Sequence, residues 1–187
     1  ETPLGVVPVD LEVCERLMAS DALFSFHPAA HTEEHSLEVQ LPFLQEKLKS
    51  DFRIIPILLG HIHPKECKLI AEELVSLANE QTLFVISTDL SHYPGYEDAQ
   101  SADAETIDGI TSGEPERFLD GLDRNNEKNI SNLHTSCCGW TSVLTFLYLT
   151  KKMGDVTIRK VDYSNSGDSV YGGHDRVVGY GGLEAVI

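Results

Sequence analysis

The chain is poor in the residues that would tie it to nucleic acid, to a membrane or to an oxidising compartment. Lys and Arg number 14 against 30 Asp and Glu, a formal net charge of −16. So few cations cannot neutralise a phosphate backbone or an anionic bilayer, so no nucleic-acid or membrane partner is expected. No apolar run approaches the roughly 18 residues of a membrane-spanning helix. Cysteine is sparse, at Cys14, Cys67, Cys137 and Cys138. These read as reduced thiols of a cytoplasmic protein and not as a disulfide framework. The adjacent Cys137 and Cys138 are also poor partners for each other, because bridging neighbours strains the geometry. The opening Glu1-Thr2-Pro3-Leu4-Gly5 lacks the charged and apolar regions of a signal peptide. G-x-G-x-x-G, a phosphate loop, G-x-S-x-G and C-x-x-C are all missing, so nucleotide cofactors and serine hydrolase chemistry have no support.

What is present is an ordinary globular composition. At 187 residues and 41% hydrophobic, the chain predicts one domain over 1–187 with a real core. Helices are expected over Leu11–Ala19, about Ser36–Lys49, Pro64–Asn79, Asp98–Ile110, Glu114–Leu122 and Cys138–Met153. Pro42 predicts a kink, or a helix that begins there. Strands are expected over Arg53–Gly60, Leu83–Ser87, Thr157–Tyr163 and Arg176–Ala185, with loops over Phe24–Thr32 and Asp123–Ser131. This alternation suggests an α/β fold, a mixed sheet flanked by helices on both faces.

The strongest local signal is Ser87-Thr88-Asp89-Leu90-Ser91-His92-Tyr93, directly after the apolar run Leu83-Phe84-Val85-Ile86. If that run is a buried strand, Asp89 and His92 emerge at its carboxyl end, where open α/β sheets bind ligands. Three residues apart, the carboxylate can orient the imidazole, which suits a general acid/base or the surroundings of a metal. The plainer reading is that Asp89 caps a turn while His92 packs on Tyr93.

Other patterns are weaker. His31-Thr32-Glu33-Glu34-His35 matches H-x-x-E-H, the inverted zincin pattern, but a helix boundary near Pro28 works against the shared helical face it needs. A solvated loop histidine is the preferred reading of His31. His35 starts the helix that bears Glu38 one turn on. Cys137-Cys138-Gly139-Trp140 stands at a helix start, and is read equally as a metal-binding or reactive thiol and as a buried small hydrophobe. Tyr163 to Ser169 is rich in turn formers, and His174 and Asp175 read as loop residues.

Taken together and in order, several segments resemble the Memo family, whose microbial members are called AmmeMemoRadiSam system protein B. They are His35-Ser36-Leu37-Glu38-Val39-Gln40-Leu41-Pro42-Phe43, Ile54–Gly60, Ser87–Tyr93, Cys138-Gly139, Tyr163-Ser164-Asn165-Ser166 and Val177-Val178-Gly179-Tyr180. The resemblance implies the LigB-like fold of class III extradiol dioxygenases, where two histidines and a carboxylate hold a non-haem iron. In Memo-like proteins a cysteine takes the carboxylate's place. The resemblance therefore assigns Cys138 to the metal position, His92 to the dioxygenase acid/base, Asp89 beside it, and His35 with Glu38 to the lining of the same pocket.

The Memo pattern also has two metal-position histidines, in Pro-His-Ala-Gly-Tyr-like and Ser-His-His-like segments, and neither segment is in this sequence. The expectation is a chain lacking its N-terminal portion, holding no catalytic iron, with iron or copper held only in a full-length protein. The implied function is a vestigial dioxygenase-type pocket used for a redox metal or for a protein or peptide partner, with a homo-oligomer also open. The alternative is an active extradiol-type dioxygenase in the full-length protein.

Overall fold

Helix α7, Trp140–Met153, is the most apolar element and the centre of packing in the larger part of the chain. Its Val143, Leu144 and Leu147 share one core with Cys67, Ile110, Phe118, Cys137 and Ile158. Burying a side chain the size of Phe118 or Leu144 contributes about 1.5–3 kcal/mol, so this cluster outweighs any single polar contact nearby. In this computed structural model residues 1–20, 23–48 and 51–187 are described. Residue 49, at the end of the predicted Ser36–Lys49 helix, lies outside them.

The chain divides into two compact units, Glu1–His61 and Ile62–Ile187. The first carries α1 (Leu11–Ser20), α2 (Pro28–Glu33) and α3 (Leu41–Lys47). Helix α1 is led by Asp10, whose carboxylate accepts from Val13 N–H at 3.2 Å. Helix α3 starts just before Pro42, as that proline requires. Helix α2 stands where a loop was expected. It has Pro28 at its first position, where a missing N–H costs nothing, and the helix former Ala at 29 and 30.

The second unit holds α4 (Pro64–Leu74), continued by a 3-10 turn over Val75–Leu77, then α5 (Tyr96–Thr111), α6 (Pro115–Glu127), α7, β1 (Thr157–Asn165) and β2 (Gly179–Val186). Helix α4 is capped in both directions: His63 Nδ1 accepts from Lys65 N–H, and Glu66 accepts from His63 N–H. Its buried Cys67, Ile70, Ala71 and Leu74 repeat at helical spacing. Helices α5 and α6 pack so closely that a Cβ on Gly109 would lie 2.9 Å from Phe118 Cα. Helix α6 runs five residues beyond the predicted Leu122, through a polar stretch expected to be loop. Tertiary partners override composition there. Buried Asn125 donates to Ala102 O at 2.9 Å and Arg124 grips Glu105.

Helices and a sheet do share the fold, but the described sheet is the antiparallel pair β1–β2, from Thr157↔Val186 to Asn165↔Gly179. Two predicted strands form no ladder among the described residues. In Arg53–Gly60 only Ile54 is bridged, in parallel to Val9. In Leu83–Ser87, residues Leu83 to Ile86 make no backbone hydrogen bond among the described residues. A strand exists only through a neighbour's N–H and C=O groups, and Leu83 and Val85 remain 64% and 42% exposed.

The heptapeptide after that run is pinned on both sides. Leu90 N–H donates to Gly179 O, Gly179 N–H to Ser91 O and Tyr93 N–H to Val177 O, while His92 N–H donates to Thr135 O and His134 N–H to His92 O. Beneath it, the fully buried Asp103 of α5 accepts from Ser91 N–H at 2.8 Å, from the Ser91 hydroxyl at 3.0 Å and from the Tyr163 hydroxyl at 2.8 Å. Position 179 must be glycine, because a Cβ would fall 1.9 Å from Asp103 Oδ2.

Burial pushes the Asp103 carboxyl up from its ordinary value, against hydrogen bonds from Tyr163 and Ser91 that pull it down. The folded state thus holds this proton more tightly than the unfolded chain does. Asp103's contribution to stability is full below an unfolded value of 3.8 and declines as pH rises through the folded value. The tyrosine bond works the other way, since it favours the ionised carboxylate. Tyr163→Phe is expected to cost about 1.5–3 kcal/mol at neutral pH and about 0.5–1.5 kcal/mol in acid, where the acceptor is neutral. Urea denaturation across pH checks this; an equal cost at both ends would show that the bond is not to a carboxylate.

Candidate functional site

Three chemically different side chains converge in the second unit. One ligand atom each from Asp89, His92 and Cys138 lies within 4.8 Å of the other two, the one such His, Cys, Asp or Glu group among the described residues. His92 Nε2 stands 3.4 Å from Asp89 Oδ2, with the His92 side chain 23% and the Asp89 side chain 46% exposed. Although the two side chains are close, His92 Nε2 is buried and has no hydrogen-bond partner among the described residues. The contact is thus too long and misaligned to satisfy that nitrogen.

The thiol is held by backbone. Asp89 N–H donates to Cys138 Sγ at 3.2 Å, and Cys138 N–H donates to Asp89 O at 3.3 Å. The hydroxyl of Thr88 completes the clasp: it donates to Asp89 O at 2.8 Å and accepts from Gly139 N–H at 2.8 Å. It also lies 3.4 Å from Cys138 Sγ and 3.5 Å from Cys137 Sγ. Gly139, the residue before α7, has to be small, since a Cβ would meet Thr88 Cβ and Oγ1 at 2.9 Å. Thr88 was not singled out from sequence, although it sits inside the heptapeptide.

The two adjacent cysteines divide their roles. Cys137 belongs to the core, and burial pushes its thiol up to about 12. It is a small hydrophobe at neutral pH. Cys138 is free and exposed. The buried small hydrophobe is thus Cys137, and Cys138 is the accessible thiol of the pair.

His92 also meets the ring of Tyr93 at 5.5 Å, so the packing role and the pairing with Asp89 coexist. Tyr93 has φ 74°, a left-handed conformation that costs an aromatic residue on the order of 1–3 kcal/mol. Its ring takes His134 edge-on at 5.0 Å and Arg176 over its face at 4.7 Å. Neither His134 nor Arg176 belongs to a motif, and sequence reasoning passed over both.

His35 and Glu38 form a pair of their own in the Glu1–His61 unit, Nδ1 to Oε1 at 3.1 Å, and both are exposed. The H-x-x-E-H pattern does not form a zincin face. Helix α2 ends at Glu33, and Glu34 turns to extended backbone with ψ 137°, so His31 and His35 do not share a helix.

Comparison with known proteins agrees with the segments quoted above. The profile of the family described as Memo-like protein matches residues 1–184. A MEMO1 family protein of Methanosarcina acetivorans is 34% identical over 187 residues, which cover 98% of this chain and 66% of that protein. One of Archaeoglobus fulgidus is 35% identical over 185 residues, covering 97% of this chain and 66% of that protein. One of Nitrosopumilus maritimus is 31% identical over 187 residues, covering 100% and 65%. The chain thus spans slightly less than two thirds of the length of these relatives.

Thr88→Val keeps the shape of the side chain but leaves the Gly139 N–H without its acceptor. It should lower unfolding free energy by about 1–3 kcal/mol, whereas Thr88→Ser should retain most of the stability. Urea denaturation of the two variants decides, and a loss in Thr88→Ser with none in Thr88→Val would place the role of Thr88 in its methyl group.

Proposed function

The chain belongs to the Memo-like protein family, and we propose that its functional centre is a metal site with Asp89, His92 and Cys138 as protein donors. The observation that carries this reading is the orphaned nitrogen of His92. A buried polar atom without a partner costs about 1–3 kcal/mol, and His92 Nε2 is such an atom beside a carboxylate and a thiol. A coordinated cation would satisfy it. Donors bound at 2.0–2.3 Å to one ion lie about 3.5 Å apart, so a set within 4.8 Å needs only a small contraction.

The donor set selects the class of ion. Thiolate is soft, imidazole borderline and carboxylate hard. This mixture favours Cu(I) or Fe(II) over Mg²⁺ or Ca²⁺. When bound, such an ion supplies Lewis-acid or one-electron chemistry at its open positions. The protein's part is positional: Thr88 and the Asp89 backbone hold Cys138 in place, and the Thr135 and His134 backbone bonds fix His92. Counting Cys138 alone as a ligand led to the expectation of no catalytic iron; this reading adds Asp89 and His92. A working extradiol dioxygenase takes two histidines and a carboxylate, and this set offers one imidazole. We therefore read the pocket as derived from a dioxygenase type and turned to redox-metal binding.

Anaerobic titration with Fe(II) and Cu(I) tests the proposal, using the chain as it is beside Cys138→Ser and His92→Gln. One equivalent should bind, with affinity falling at least about 10-fold in either variant, as losing even a supporting group of a metal site does. No binding, or binding indifferent to both substitutions, would overturn it.

A further inference from the structure

Arg176 stands beside this centre with no acidic partner. Its Cζ lies 4.7 Å from the centre of the Tyr93 ring, and that ring lies 5.5 Å from the ring of His92. The guanidinium is therefore one aromatic ring away from a proposed donor. Backbone bonds enforce this placement. Tyr93 N–H donates to Val177 O at 2.7 Å, and Val177 N–H donates to Pro94 O at 3.0 Å. The residue after Arg176 is thus fastened to the residues around Tyr93, whose ring also meets His134 edge-on at 5.0 Å.

Carboxylates outnumber cationic side chains 30 to 14 in this chain. Arg117, Arg124 and Arg159 each hold one. Exposed Arg176 makes no ion pair among the described residues. A guanidinium lying on an aromatic face keeps its N–H edge open, and that planar edge matches the two oxygens of a carboxylate. Asp89, nearly half exposed, would by itself repel such an anion.

We propose that Arg176 anchors the carboxylate of a small molecule taken at the Asp89–His92–Cys138 centre. The proposal rests on the reading of that triad as the functional centre. It deepens that reading by naming the ligand class: small molecules bearing a carboxylate, held by Arg176 with their other end toward Cys138.

Alkylation of Cys138 tests this without any metal. Iodoacetate carries a carboxylate, and iodoacetamide is its neutral counterpart of similar size. In both reactions the Cys138 thiolate attacks the methylene carbon. A C–S bond forms, the C–I bond breaks, iodide leaves, and the thiol proton has already passed to solvent. The ratio of the two rates at one pH cancels the thiolate fraction. Fragment-ion mass spectrometry of the peptides reads Cys138 apart from the adjacent, buried Cys137, and from Cys67 and Cys14.

At low salt the iodoacetate-to-iodoacetamide ratio at Cys138 should fall about 3- to 10-fold in Arg176→Gln, the size expected for one charge near a surface. Arg176→Lys should keep most of the ratio, and salt near 0.5 M should shrink the difference. An unchanged circular dichroism spectrum and urea midpoint show that each variant keeps its fold. The same ratio in the chain and in Arg176→Gln overturns the proposal. Metal titration of the same samples separates the two readings. Metal binding with an indifferent ratio removes only the anchor, whereas a lost ratio without metal binding keeps the anchor and removes the metal.

Discussion

The Asp103 carboxylate takes hydrogen bonds from the Ser91 backbone, the Ser91 hydroxyl and Tyr163, and so joins α5, the heptapeptide and β1. It lies wholly buried, where an ionised or half-satisfied carboxyl is costly. Every donor is therefore a positional constraint. Ser91 cannot shift without orphaning a buried oxygen, and Asp89 and His92 flank Ser91 by two residues and one. Gly179 exists to admit this carboxylate and, through its own bonds to Leu90 and Ser91, carries β2 to the same place. The segment that carries Asp89 and His92 is thus set from beneath, by a wholly buried group.

A second constraint acts from the side. The Thr88 hydroxyl bonds the carbonyl of Asp89 and the N–H of Gly139, segments 50 residues apart in sequence but clasped within one hydrogen bond of each other. The clasp decides which cysteine is accessible. Cys137 turns into the core against Val143 and Leu144, and Cys138, with the opposite direction, stays at the surface against Asp89. Two identical neighbours differ because the chain crosses the core boundary between them.

Local chemistry was readable in the sequence, and pairing was not. The heptapeptide announces Asp89 and His92 because titratable side chains follow an apolar run, and Cys138-Gly139 announces a close approach at a helix start. Both signals are short-range, and both residue sets converge in the structure. Strands failed where their hydrogen bonds depend on a distant neighbour. Leu83–Ile86 has the composition of a strand and no ladder among the described residues. The predicted strand from Arg176 begins only at Gly179, because Val177 and Val178 are paired instead with Tyr93, Pro94 and His92. Helix α6 outran its prediction for the same reason, since Arg124 and Asn125 are helical through partners on α5. The Pro28 start of α2 was the exception: its signal was local and was overlooked.

Tyr93 is where this stretch of chain holds backbone strain. At φ 74° a glycine would sit without strain, and an aromatic residue there gives up stability. The turn it makes sends its ring toward His134 and Arg176, while His92, one residue earlier, faces Asp89. A relaxed backbone would spread these groups apart. The strain is held by the bond from Tyr93 N–H to Val177 O and by the pinned residues on either side. Pinned residues, a left-handed tyrosine and an orphaned imidazole nitrogen all fall within one short stretch of chain. Core packing gives no reason for that coincidence, because the fold's apolar core around α7 draws on none of the three residues involved, Asp89, His92 or Tyr93. Their arrangement is costly where it stands, and it is held by the backbone bonds of His92 to Thr135 and of Tyr93 to Val177.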